Sequence, residues 1–150
     1  NIKLKSDDIT REEMVKACEY VNADKFINKL DKGYDEEVRE RGNNFSSGQR
    51  QLVSFARTIV HDPKVMILDE ATSNIDTETE QLIQESLTKM MSIGTMLIVA
   101  HRLSTIQHVD NIIVLSKGEI LEQGNHQELL KQKGHYYNLY RLQYQEVPTK

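Results

Sequence analysis

The stretch Val65-Met66-Ile67-Leu68-Asp69-Glu70 decides the fold: four apolar residues run directly into two acids. A short, continuously apolar run is the pattern of a strand buried on both faces of a parallel sheet. The two carboxylates then fall at the sheet's C-terminal edge, where open α/β folds bind ligands. One carboxylate there can hold a hydrated divalent cation while its neighbour takes a proton from an attacking water. The same pair would also suit the start of a helix, whose positive end favours acids, so the stretch alone leaves both readings open. Met96-Leu97-Ile98-Val99-Ala100 is a second apolar run, and His101 follows it as directly as Asp69 follows the first. A lone His in that place is ordinarily a capping or packing residue. Two strand ends that each deliver a polar group to one edge make a site the better reading.

Outward from these strands the pattern is helical. Upstream, Phe45-Ser46-Ser47-Gly48-Gln49 opens a helix whose apolar stripe is Leu52, Val53, Ala56, Ile59 and Val60, ended by His61-Asp62-Pro63. The backbone N–H groups at its start form an anion site, with a hydroxyl from Ser46 and close backbone approach at Gly48. Between the strands, Thr77-Glu78-Thr79-Glu80 reads as a capping box for a helix through Leu82, Ile83, Leu87 and Met90. Further upstream, Thr10-Arg11-Glu12-Glu13 is another capping box, opening a helix to about Asn22. A short helix through Phe26, Ile27 and Leu30 follows, then a charged loop from Tyr34 to Asn44. Downstream, Asn111 to Leu115 and Glu119 to Glu122 read as a hairpin around Lys117-Gly118, followed by two helices broken at Gly134. Strand–helix–strand alternation implies a parallel sheet with helices packed on it. The fold class is α/β.

Composition narrows the function. The chain has 150 residues, 38% hydrophobic and 28% charged, which is a globular composition. Nineteen basic against 23 acidic residues leave a net charge of −4, contrary to a surface that binds nucleic acid by charge neutralisation. The single cysteine, Cys18, excludes an internal disulfide and sits on the apolar side of its helix, as core. No apolar run approaches the ~20 residues needed to span a bilayer. His61, His108, His126 and His135 lack metal-ligand spacing, and Tyr136, Tyr137, Tyr140 and Tyr144 read as a packing stripe of a terminal helix.

Taken in order, these pieces resemble the ATP-binding cassette (ABC) family. Phe45-Ser46-Ser47-Gly48-Gln49 resembles its signature motif, Val65 to Glu70 its Walker B strand, Ser73-Asn74-Ile75-Asp76 its D-loop, and Ala100-His101-Arg102 its switch-histidine segment. The flanking residues are similar to the exporter branch, and Glu40-Arg41-Gly42 resembles that branch's coupling loop. The resemblance implies a P-loop NTPase-like parallel sheet flanked by helices. Residues 1–62 would then be part of the helical signature subdomain, and 63–150 the C-terminal part of the ATPase core.

It further implies an ATPase that couples hydrolysis to export in a head-to-tail dimer with a second nucleotide-binding domain, identical or not. A transmembrane domain would complete the transporter, and the chain would lie on the cytoplasmic face of the membrane. By the same resemblance Ser46, Ser47, Gly48 and Gln49 would serve ATP held mainly by the partner. Asp69 would hold Mg²⁺ through water, Glu70 would be the general base, His101 would steady the γ-phosphate, and Asp76 would communicate across the dimer. No G-x-x-x-x-G-K-[ST] occurs among the seven glycines. The family places that loop upstream, on a strand inserted between Met96–Ala100 and Asn111–Leu115. The chain is therefore expected to be the C-terminal portion of the domain, with exposed sheet edges and no activity alone. Three residues depart from the family pattern: Ser47 replaces a Gly and Phe45 a Leu in the signature, and Arg39 replaces a Gly beside the coupling loop. Ser47 suits an alternative reading, a catalytically weak regulatory half that lends its signature to a partner.

Overall fold

The computed structural model describes residues 2–4, 8–39, 42–69, 75–100 and 102–145. The chain divides into two compact units, Asn1–Leu97 and Ile98–Lys150.

In the first unit, helix α1 (Arg11–Tyr20) starts at the capping box read from the sequence. The Thr10 hydroxyl accepts from the Glu13 N–H at 3.2 Å, and Glu13 accepts from the Thr10 N–H at 2.8 Å. Its apolar side buries Ala17 and Cys18, and burial pushes the Cys18 thiol up to about 12. The helix stops where Asn22 adopts a left-handed φ of 57°, a conformation Asn tolerates better than most residues. The same Asn22 is tied to helix α4 (Thr77–Met90) through the buried Ser86 hydroxyl, 3.2 Å from its Nδ2. That hydroxyl is also 2.7 Å from the Val21 carbonyl, so the end of α1 finds polar partners inside the core. Helix α2 (Asp24–Ile27) follows, then a 3₁₀ turn, Gly33–Asp35, held to α1 by two 2.8 Å hydrogen bonds between Arg11 and Asp35.

Helix α3 (Ser47–Ile59) and α4 enclose the core. Leu52, Phe55 and Ala56 from one meet Ile83, Leu87 and Met90 from the other, around Cys18, Val21 and Met66. Strands β1 (Val65–Asp69) and β2 (Thr95–Val99) pair as a small parallel sheet. These strands differ from the expected burial on both faces. Met66 is buried, whereas Val65, Ile67, Leu97 and Val99 are 63%, 74%, 57% and 50% exposed. Side chains alternate across a strand, and no described residue covers the second face.

The second unit begins with a short helix, α5 (Leu103–Ile106), that sequence reading missed, because four residues show no period. Strands β3 (Ile112–Ser116) and β4 (Glu119–Gly124) form the expected antiparallel hairpin, a sheet of their own. Lys117 and Gly118 take φ of 50° and 83°, the two positive values of a type I′ turn. Helices α6 (His126–Gln132) and α7 (His135–Gln145) follow. Glu122 accepts from the first N–H groups of α7, at His135 and Tyr136, an anion at a positive helix end. Tyr136 is 1% exposed, packed with Ile112 and Leu129, and its hydroxyl is 2.7 Å from His126 Nδ1. Of the four tyrosines read as a packing stripe, Tyr136 enters this cluster, whereas Tyr144 is 44% exposed. No helix among the described residues is long and apolar enough to cross a membrane.

Candidate functional site

The residues that open α3 are held by their own side chains. Ser46 has extended backbone, and its hydroxyl accepts from the Gln49 N–H at 3.2 Å; the Gln49 side-chain oxygen accepts from the Ser46 N–H at 3.0 Å. This reciprocal cap was legible as Ser-x-x-Gln, the pattern already used for Thr10 and Glu13. Phe45 is buried just ahead of it, edge-on to Phe26 with ring centroids 5.7 Å apart. Arg50 closes the turn by donating to the Phe45 carbonyl at 2.8 Å. The Leu-to-Phe departure is thus absorbed by the core. Ser47 is the first residue of α3 and is half-buried. No acid stands in the first turn of α3 itself.

Gly48 is buried against α4. A Cβ built on it would overlap Thr79 Cγ2 and come within 3.0 Å of Ile75 Cγ2. Asp76, and not Thr77, is the N-cap of α4: its carboxylate accepts from the Thr79 N–H at 2.8 Å. The capping box expected at Thr77 and Glu80 is thereby corrected, because the helix begins one residue earlier than that pattern requires. Ser46, Ser47, Gly48, Gln49 and Asp76 are thus brought to two helix starts joined through Thr79. Asp69 ends β1 with an exposed side chain. Glu70 and His101 lie outside the described residues, as do Ser73 and Asn74 of the D-loop resemblance and Glu40 and Arg41 of the coupling loop.

The hydrogen bond from Thr79 holds the Asp76 carboxyl below its ordinary value of 3.8. A depressed carboxyl stabilises the fold above its unfolded pKa, and that contribution disappears as pH falls through the folded value. Asp76→Asn is therefore expected to lower the thermal midpoint at neutral pH and to lose less stability on acidification below pH 3.8 than the parent does. Parallel melting curves across that range provide the check.

The first unit thus carries an exposed acid at the end of β1 and a self-capped start of α3. The family described as "ABC transporter" matches residues 3–73. The chain is 50% identical over 143 residues to a Bacillus subtilis protein named "Probable multidrug resistance ABC transporter ATP-binding/permease protein", covering 95% of this chain and 21% of that protein. It is also 50% identical over 143 residues to the "ATP-dependent lipid A-core flippase" of Legionella pneumophila, covering 95% of this chain and 24% of the flippase. Among solved structures, a bacterial Atm1-family ABC exporter with ATP bound superposes with a TM-score of 0.84 at 40% identity, over 97% of this chain and 26% of that one. The chain belongs to the ABC transporter family. It spans about a fifth to a quarter of the length of these relatives.

Proposed function

We propose that the chain is part of the ATP-hydrolysing motor of an exporter, working in a head-to-tail dimer on the cytoplasmic face of the membrane. The observation that carries this reading is the start of α3: a capped, acid-free helix end in which Ser46, Ser47, Gly48 and Gln49 stand together. Such an end suits phosphate oxygens, through backbone N–H groups and the helix dipole. In phosphoryl transfer, positioning and charge neutralisation supply most of the acceleration. Within this reading Ser46 to Gln49 orient the terminal phosphate of a nucleotide held mainly by the partner domain. Glu70 takes the proton of the attacking water, and His101 donates a hydrogen bond to the γ-phosphate. The exposed carboxylate of Asp69 is chemically suited to a hydrated Mg²⁺, which would neutralise charge on the phosphates. Within the same reading, residues 1–62 serve as part of the helical signature subdomain and 63–150 as the C-terminal part of the ATPase core.

The membrane domain would meet the loop that resembles the coupling loop. The described residues Arg39 and Gly42 line a groove of about 340 Å³ together with Arg50 and Arg57. Asn44 fixes the near end of that loop, accepting from the Arg39 N–H at 3.1 Å and donating to the Glu37 carbonyl at 3.0 Å.

Phosphate release by the complete transporter in lipid vesicles tests the motor reading. Steady hydrolysis supports it, and none would favour the regulatory half that Ser47 suits. The 150-residue chain by itself, without a G-x-x-x-x-G-K-[ST] loop, is expected to bind Mg·ATP negligibly. Calorimetric titration giving micromolar affinity would refute that.

A further inference from the structure

Gly48 and Thr79 lie on different helices, 31 positions apart in sequence, yet the space a side chain would take at Gly48 is already occupied by Thr79. Its Cγ2 fills most of that space; its Cβ would lie 3.2 Å from a Cβ at Gly48, and Ile75 Cγ2 closes the far side at 3.0 Å. The Thr79 backbone N–H meanwhile holds the Asp76 carboxylate at 2.8 Å. One residue thus faces both helix starts: its methyl seats the start of α3, and its amide closes the cap of α4. A Thr in a helix divides between two χ1 rotamers, and the one seen here turns the methyl of Thr79 toward Gly48.

We propose that Thr79 is a positioning residue, which locks the signature end of α3 to the D-loop end of α4 so that both move as one body. This rests on the motor reading above. It assigns Gly48 a role facing its own domain: the missing side chain lets two helix starts close on each other. A glycine needed only for approach to phosphate would face outward, toward ligand. Displacing the start of α3 by the width of a methyl group would misalign the groups aimed at the γ-phosphate. Misplacements of about 1 Å can cost on the order of a hundredfold in rate.

The test uses the complete transporter, with ATP hydrolysis and KM for ATP measured on Gly48→Ala, Thr79→Ala, Thr79→Val and the double variant Gly48→Ala/Thr79→Ala. Gly48→Ala forces the overlap and Thr79→Ala empties the seat; each is expected to lower kcat by about tenfold with KM little changed. The double variant adds a methyl group on α3 where the Thr79 methyl is removed from α4, with the Thr79 hydroxyl lost besides, and is expected to recover most of the loss because the contact at Gly48 is with that methyl. Thr79→Val keeps the branched shape and is expected to exceed Thr79→Ala clearly in kcat. A double variant no faster than Gly48→Ala alone would show that the glycine serves the ligand, and would overturn the proposal. Should Gly48→Ala fail to fold, equal kcat for Thr79→Ala and Thr79→Val would overturn it instead, since a merely structural contact shifts the melting temperature and leaves kcat alone. Absence of hydrolysis in the unmutated transporter would defeat the motor reading itself, a result distinct from either of these.

Discussion

Glu70→Gln in the complete transporter is expected to lower ATP hydrolysis by about 10²–10⁴-fold while nucleotide binding is retained. The amide keeps the size and shape of the carboxylate but cannot accept a proton from the attacking water. Asp69, one residue earlier and exposed at the end of β1, is untouched, as is the capped start of α3. A loss confined to kcat therefore follows if Glu70 is the base. Phosphate release, read beside binding of a fluorescent ATP analogue, separates the outcomes. Unchanged turnover would remove Glu70 from catalysis and favour the regulatory half. Loss of binding together with turnover would make Glu70 part of the nucleotide site's electrostatics.

The second large effect is on stability. Leu52 is 1% exposed on α3, in the cluster with Leu87, Met66 and Cys18. Leu52→Ala deletes three buried carbons from the helix that carries the signature residues. The expected cost is about 2–5 kcal/mol, the sum of lost transfer energy and an unfilled cavity. Leu52→Met, which conserves volume, is expected to cost under about 1.5 kcal/mol. Urea unfolding of the isolated nucleotide-binding domain measures both. Similar midpoints for the two variants would mean that the core collapses around the gap and that α3 is held chiefly by its cap.

Local chemistry was readable wherever a short pattern satisfies its own backbone. Thr10 and Glu13 cap α1 as their three-residue spacing requires, and Lys117-Gly118 turns the hairpin because both positions accept positive φ. Ser46 and Gln49 follow the same rule at the start of α3. At Asp76 two local rules competed. A capping box at Thr77 and an aspartate cap one residue earlier are both allowed by the residues, and the structure takes the second, with Asp76 accepting from the Thr79 N–H.

The order of motifs along the chain, the α/β class and the ABC family thus follow from the sequence, because each motif is a few adjacent residues whose chemistry is local. Tertiary structure alone decided which faces of β1 and β2 are covered, since a continuously apolar strand offers both faces equally to a helix. It also decided what lies against Gly48. A glycine in a sequence announces missing volume, and only the approach of a second helix shows that Thr79 fills it.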